Sequence, residues 1–247
     1  MRKSIFGALA VSLCLSSAVM ADPLTQARQA YIDGDYQAAL TVLEPMAQAG
    51  DPIAQNIMGA AYADGRGVDA DPEKAREWYE KAAASGLAKA YYNLGNLHKK
   101  AGRYDQAVTA YQVAMDKDYG AAFYERGKML RHGIGGPVLI KQAIAAFERG
   151  MQSGSDEAGI ELAEMYRLGE GVPLNTAKAR EIYAELATYG NAVALGNLAL
   201  MYEMGLGGAK DMAAAYALYR QAVDLGDENA AKNLAEFRQT TSGYWAE

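Results

Sequence analysis

The segment "AYADGRGVDADPEKAREWYEKAAASG" (residues 61–86) decides the fold, because its pattern of small, aromatic and glycine residues returns along the chain. A landmark alanine recurs at steps of 36, 32, 36, 36 and 36 residues, and a large apolar residue stands four residues after each one. The alanines are Ala39, Ala75, Ala107, Ala143, Ala179 and Ala215, and the large apolar residues are Leu43, Tyr79, Tyr111, Phe147, Tyr183 and Tyr219. A fixed period of this size predicts a solenoid.

Each unit contains two segments in which apolar residues recur at spacings of three and four, as in "IMGAAY" (57–62) and "AREWYEKAAA" (75–84). This spacing predicts two amphipathic helices of about a dozen residues. A small residue on the first helix lets the second helix approach closely. These small residues are Ala27, Gly59, Gly95, Gly127, Ala163 and Ala199. We expect an all-α, right-handed solenoid of six helical hairpins with a core that runs along the array.

Paired glycines follow the first helix in four units: Gly65 and Gly67, Gly133 and Gly135, Gly169 and Gly171, and Gly205 and Gly207. The first glycine can end a helix in the left-handed conformation, and the second lets the chain reverse. Asp71, Asn175 and Asp211 stand where the next helix begins and can cap it. A phosphate-binding loop needs a preceding strand and usually a Gly-Lys-Ser/Thr ending, and the sequence shows neither.

The third unit has a shorter turn, since "HKKAGRYDQA" (98–107) lacks four residues that "YADGRGVDADPEKA" (62–75) contains. After the sixth unit, "DENAAKNLAEFRQ" repeats the first-helix pattern alone, and we expect it to cap the array. For the tail "TTSGYWAE", with Tyr244 and Trp245, we favour packing onto the array over a docking role. The predicted boundaries are a signal peptide at 1–21, units at 22–51, 52–87, 88–119, 120–155, 156–191 and 192–227, a capping helix at 228–238 and a tail at 239–247.

The first residues, "MRKSIFGALAVSLCLSSAVMADP", combine two cations, an apolar run and small residues before a cut. This layout predicts a secretory signal peptide cleaved after Ala21. The apolar run is short for a membrane span, which argues against an uncleaved anchor. Cys14 is the only cysteine, and Leu13 before it does not favour lipid attachment. We therefore expect a periplasmic or secreted bacterial protein.

Composition argues against several kinds of function. The 24 basic and 30 acidic residues give a net charge of −6, and a surface of this sign repels nucleic acid unless positive charge is segregated. The only histidines, His98 and His132, form no metal-binding motif, and no serine of the mature chain has the lysine that a penicillin-type site needs three residues later. We expect no nucleic-acid partner, no metal, no cofactor and no enzymatic activity, with a hydrolase as an unsupported alternative.

Three long units resemble Sel-one-like repeats: "AQNIMGAAYADGRGVDADPEKAREWYEKAAASG", "GIELAEMYRLGEGVPLNTAKAREIYAELATYG" and "ALGNLALMYEMGLGGAKDMAAAYALYRQAVDLG". The third unit, "AYYNLGNLHKKAGRYDQAVTAYQVAMDKD", resembles the related tetratricopeptide repeat. The fourth unit departs from the pattern, because Gly136 and Leu139 replace the usual valine and acidic cap. The resemblance covers nearly all of the mature chain.

This resemblance implies a scaffold that holds other proteins. Exported bacterial relatives include regulators of envelope sensor kinases, parts of polysaccharide-export and flagellar machines, and host-binding factors. Our first hypothesis is a protein-binding scaffold or regulator, and a structural part of an envelope machine is the alternative. A cysteine-rich branch is linked to β-lactam binding or hydrolysis, but this chain lacks the cysteines of that branch.

The resemblance also implies that the first helix of each unit lines the inner curve. The side chains expected there are Asn56, Tyr92, Asn96, Lys99, Tyr124, Lys128, Arg131, Glu164, Arg167 and Glu203. The middle of this groove would be aromatic and basic, so units three and four would hold an extended or helical peptide with acidic groups. The alternative interpretation treats these residues as solvated positions of ordinary helices.

Overall fold

The computed structural model describes residues 22–240, and over this range it contains α-helices and no β-strand. The predicted signal peptide and residues 241–247 of the predicted tail lie outside the described residues. The helices are α1 (Pro23–Ile32), α2 (Tyr36–Gln48), α3 (Pro52–Asp64), α4 (Pro72–Ala84), α5 (Ala88–Lys100), α6 (Tyr104–Asp116), α7 (Gly120–His132), α8 (Ile140–Gln152), α9 (Asp156–Leu168), α10 (Thr176–Thr188), α11 (Ala192–Met204), α12 (Met212–Asp224) and α13 (Glu228–Thr240). The predicted all-α repeat solenoid is confirmed.

The helices form six hairpins and a final single helix. In each unit the odd-numbered first helix packs against the even-numbered second helix, which also packs against the first helix of the next unit. At the end of the array, α13 lies against α12 and α11 and buries Leu234 and Phe237 there. It continues to Thr240, two residues past the predicted end, and the Thr240 hydroxyl donates to the carbonyl of Glu236.

Side-chain caps and left-handed glycines fix the helix ends as predicted. Asp71, Asn175 and Asp211 each accept hydrogen bonds from the first free amides of the second helix that follows. The first glycine of every pair ends its helix with φ between 67° and 72°. In the fourth unit, Leu139 precedes α8 without a side-chain cap, yet the turn forms where the sequence predicted it.

The small residue of each first helix lies against the large side chain of the second helix. A methyl group added at Gly59 would lie 2.6 Å from the Tyr79 ring, and one added at Gly95 would lie 2.5 Å from the Tyr111 ring. Each ring therefore packs directly on the backbone of its partner helix. This contact accounts for the pairing of a small and a large residue in the repeat.

The second glycine of each pair has a role that the sequence did not predict. It brings the turn against the start of the second helix of the preceding unit and leaves no room for a side chain. Gly67 meets Tyr36 and Leu40 of α2, and Gly207 meets the backbone of Thr176 in α10. Each long turn also adds one apolar side chain to the core, namely Val68, Ile134, Val172 or Leu206. The long turns therefore join successive units as well as reversing the chain.

Candidate functional site

The ten residues predicted to line the groove all lie on first helices, and side-chain contacts link these helices from unit to unit. Asn93 of α5 donates to Asn56 of α3 at 2.8 Å. Lys99 of α5 forms an ion pair with Glu125 of α7. Polar side chains of neighbouring first helices therefore share one surface. We call this surface, formed by α1, α3, α5, α7, α9 and α11, the first-helix groove.

The first three units of this groove line a cavity of about 610 Å³. The predicted residue Asn56 is buried in its wall, and Asn93 and Asn96 lie beside it. The oxygen of Asn96 accepts a hydrogen bond of 2.6 Å from the core hydroxyl of Tyr111. This hydrogen bond engages one lone pair of the oxygen and leaves both amide hydrogens of Asn96 as donors for the cavity.

Three exposed cations line the same cavity: Arg28 of α1, and Lys89 and Lys100 of α5. Within residues 22–240, none of the three lies within ion-pair distance of a carboxylate, whereas Arg66 pairs with Asp64 at 3.3 Å. Four cations therefore face one carboxylate in this cavity, although the chain as a whole is acidic. Positive charge is segregated at the N-terminal end of the groove.

Glu125 changes the electrostatics that the sequence predicted for units three and four. This carboxylate is 8% exposed and pairs with both Lys99 and Lys128, the latter at 2.8 Å. Burial acts to raise the pKa of Glu125, but hydrogen bonds from Lys128 and Lys99 outweigh it and hold the pKa below its usual value. Both lysines are therefore already bound to a carboxylate of the chain itself. Lys128 also lies 4.0 Å from the centre of the Tyr124 ring.

The predicted arginines further along the groove are paired as well. Arg131 binds Glu161 and Glu170, and its Nε donates to Glu170 at 2.8 Å. Arg167 binds Glu164, with its Nε 2.8 Å from the carboxylate. The Arg167 hydrogen bond is the main cause that lowers the pKa of Glu164, against the effect of burial. Acidic groups outnumber basic ones in this part of the groove, so its charge changes sign along its length.

The other predicted groove residues make contacts with the core. The Tyr219 hydroxyl donates to Glu203 at 2.9 Å. The ring centre of Tyr92 lies 5.3 Å from that of Tyr119 and 6.1 Å from that of Tyr111. These side chains therefore help to pack the repeat units as well as shape the groove.

The sequence analysis missed several groove residues, some of which a position count could have found. Arg28 and Tyr31 stand one and four residues after the small residue Ala27, the same positions that selected Asn96 and Lys99 in the third unit. Burial raises the pKa of the Tyr31 hydroxyl, so this group stays protonated at neutral pH.

Other missed residues occupy positions that carry no such signal. Asn93 and Glu125 each stand two residues before the small residue of their helix. Lys89 and Lys100 lie near the two ends of α5. Their place in the groove depends on how neighbouring units stack, which the pattern of a single unit does not contain.

Three further observations on the described residues concern metal binding, membrane crossing and the state of His98. No group of three or more His, Cys, Asp or Glu side chains within residues 22–240 could hold a metal ion. In the same part of the chain, the helices are too short or too polar to cross a membrane. Burial, followed by the charges of Arg103 and Arg76, lowers the pKa of His98, so this imidazole is neutral at pH 7.

Replacing Glu125 with glutamine is expected to lower the free energy of unfolding at pH 7 by about 1 to 2 kcal/mol, because the two lysines lose their shared charge partner. The folded-state pKa of Glu125 is depressed, so this contribution is present above the unfolded pKa and lost as pH falls through the folded pKa. Urea denaturation at pH 7 and pH 3 checks both points. Glu148→Gln, at an exposed position on α8, is the control, and equal losses in the two variants at pH 7 would contradict the role of Glu125.

Comparison with known proteins agrees with this architecture. The Sel1 repeat model matches residues 52–87, 157–190 and 192–227, and the tetratricopeptide repeat model matches residues 88–112. A sel1-like repeat-containing protein of Acanthamoeba polyphaga mimivirus is 30% identical over 78 residues, which are 32% of this chain and 15% of the viral protein. This chain therefore matches only a small part of the length of that relative.

Two solved structures share the fold over most of the chain. A Sel1 repeat protein from Oxalobacter formigenes has a TM-score of 0.76 and 28% identity, over 89% of this chain and 92% of that one. A protective antigen of uropathogenic Escherichia coli strains, described as displaying an SLR fold, has a TM-score of 0.70 and 25% identity, over 90% of this chain and 53% of that one. Repeats of these kinds typically bind proteins and generally act as non-enzymatic scaffolds. The chain thus contains three segments that match the Sel1 repeat and one that matches the tetratricopeptide repeat, within an all-α repeat solenoid.

Proposed function

We propose that this protein is an exported scaffold or regulator that holds a peptide segment of a protein partner in the first-helix groove. The observation that carries the proposal is the cavity of about 610 Å³ in units one to three, where three cations have no carboxylate partner within the described residues. A partner segment with acidic side chains would supply the missing carboxylates. Charge-assisted hydrogen bonds of this kind are stronger than neutral ones.

The charge distribution supports an orientation for this segment. Arg28, Lys89 and Lys100 attract its acidic part to the N-terminal end of the groove. Glu161 and Glu170 lie further along, so a basic or neutral part fits better there. Complementary charges of this kind steer encounter and fix the register of a bound chain.

Units three and four contribute less positive charge than their sequence indicates, because Glu125 pairs with Lys99 and Lys128. In the proposal, Asn56 and Asn96 contact the segment directly within the cavity. Tyr92 and Tyr124 provide adjoining aromatic surface. The binding site therefore extends from the first unit into the fourth, with its charged contacts in the first three.

Export rests on the predicted signal peptide, so the proposed site of action is the bacterial periplasm or beyond. The same groove would serve a structural component of an envelope machine, for example in polysaccharide export or motility. A β-lactamase-like hydrolase has no supporting motif. The absence of turnover of a chromogenic β-lactam by the purified protein is the expected result for a scaffold.

A pull-down from a bacterial envelope extract tests the proposal, with residues 22–247 as bait. One variant changes Arg28, Lys89 and Lys100 to alanine, and a second changes Tyr92, Lys99, Tyr124 and Lys128 to alanine. We expect a partner that the unchanged bait captures, that the first variant loses and that the second retains in part. Circular dichroism confirms that each bait is folded.

Three other results would count against the proposal as stated. If only the second variant failed to capture the partner, the charged contacts would lie in units three and four. Equal capture by all baits would place the partner outside the groove. No capture by any bait would contradict the scaffold function itself.

A further inference from the structure

Among the five junctions between successive hairpins in residues 22–240, one is open, and it lies apart from the first-helix groove. At four junctions a seven-residue turn, at 65–71, 133–139, 169–175 or 205–211, packs against the start of the preceding second helix. The turn between α5 and α6 has only three residues, 101–103. The third unit therefore lacks the segment that would cover the start of α4.

A cleft of about 650 Å³ lies at this junction, between α4 and α6 and beside the end of α5. Arg76, Leu94, His98, Thr109 and Val113 are among the residues that line it, and we call it the junction cleft. Leu94 and Val113 give it an apolar part. Within the described residues, the buried Nδ1 of His98 has no hydrogen-bond partner.

The covered junction at α10 shows what a bound turn contacts. Arg180, the fifth residue of α10, donates to the carbonyl of Ala209 in the covering turn at 3.2 Å. Its guanidinium also lies 3.6 Å from the centre of the Tyr202 ring. Arg180 thus holds the turn through a backbone group, and the absence of a side chain at Gly208 leaves room for its guanidinium.

Arg76 occupies the same position in α4, as the fifth residue of that helix, and His98 occupies the position of Tyr202 in its own unit. The Nε and Nη1 of Arg76 donate to Glu73 and Glu80 at 3.0 and 2.7 Å. These bonds hold the guanidinium in place and leave its Nη2 hydrogens as further donors. Arg76 therefore stands in the junction cleft at the position from which Arg180 donates to a turn, whereas Leu40, Val108 and Ile144 occupy this position at the other covered junctions.

We propose that the junction cleft binds a glycine-containing turn of a separate protein, which takes the place of the four residues that the third unit lacks. The long turns of the chain itself define the chemistry of this occupant: small residues at the close contacts and one apolar side chain, such as Leu206 in the turn that Arg180 holds. Arg76 donates to a backbone carbonyl of the bound turn. The apolar side chain packs against Leu94 and Val113.

A cyclic peptide that contains Gly-Leu-Gly-Gly-Ala-Lys-Asp, the sequence of residues 205–211, is a suitable probe because this is the turn that Arg180 holds and because cyclisation limits the loss of entropy on binding. It is titrated into the ¹⁵N-labelled protein, residues 22–247, and followed by NMR. We expect a dissociation constant of about 1 mM or tighter and shifts confined to the start of α4, to α5 from Tyr91 onward and to α6 as far as Val113. Arg76→Gln is expected to weaken binding about tenfold through the lost charged hydrogen bond.

Two further variants block the cleft in different ways. One replaces residues 101–103 with the sequence of residues 205–211, so that the chain covers its own junction. The other is Thr109→Arg, at an exposed position in the cleft, with Gln112→Arg on the same helix as the control. Both blocking variants should abolish the shifts and the control should retain them. The groove variant with Arg28, Lys89 and Lys100 changed to alanine should also bind the probe, so failure of one site is distinguished from failure of the other.

An absence of shifts with the unchanged protein at several millimolar probe would overturn the proposal, and so would unaltered binding by Thr109→Arg. Sedimentation adds a second check on the occupant. A dimer that becomes a monomer when residues 101–103 are replaced would place a second copy of the chain in the cleft. That result would overturn the assignment to a separate protein.

Discussion

Replacing Phe147 with alanine is expected to lower the free energy of unfolding by about 4 kcal/mol, as measured by urea denaturation. The ring is fully buried and lies on the backbone of α7, where a methyl group added at Gly127 would be 2.5 Å from it. Its removal leaves a cavity between α7 and α8 that the small residue Gly127 cannot fill.

Two control variants separate this packing from the general effect of removing an aromatic ring. Phe147→Leu should cost about 1.5 kcal/mol, because Leu43 occupies the same position in the first unit. Tyr189→Ala removes a ring that is 80% exposed and should change stability by less than about 0.5 kcal/mol. Similar losses for Phe147→Ala and Tyr189→Ala would contradict the packing described for the repeat.

Replacing Gly207 with alanine is expected to cost about 3 kcal/mol, the second large effect. Its φ is 73°, and a methyl group there would lie 2.6 Å from the carbonyl carbon of Thr176 in α10. Both the left-handed conformation and the close approach to the preceding unit oppose a side chain.

Gly205→Ala is the matched control for Gly207→Ala. Gly205 has nearly the same φ, 69°, but a methyl group there would come no closer than 3.4 Å to its neighbours. We expect a cost of about 1 kcal/mol from the left-handed conformation alone. Urea denaturation of both variants measures the difference, and equal costs would show that the turn does not pack tightly on α10.

The fold could be predicted because every unit repeats the same local sequence pattern. The small residue, the large apolar residue and the left-handed glycine each act within about 36 residues, and their recurrence identified all six hairpins and the final helix. For the second glycine, the sequence predicts only that it lets the chain reverse. Its contact with the preceding unit is a tertiary contact, and nothing within one unit reveals it.

The candidate site was harder to predict, because its chemistry depends on side chains in different units. All ten predicted residues lie on first helices. However, Lys99 pairs with Glu125, which lies 26 residues further along the chain. Arg131 pairs with Glu170, which lies 39 residues further along the chain. Such pairs decide which cations are neutralised within the chain, and they follow from the stacking of units. The binding role of the groove stays a prediction.

The affinity of the captured partner for a double variant, Lys89→Ser with Lys100→Ser, tests the central claim most directly. The control is Lys117→Ser with Lys141→Ser, which removes equal charge at exposed positions outside the cavity in units one to three. Isothermal titration should show at least about a tenfold loss of affinity for the first pair and no change for the control. Equal affinities for both double variants and the unchanged protein would contradict the assignment of the cavity in units one to three as the binding site.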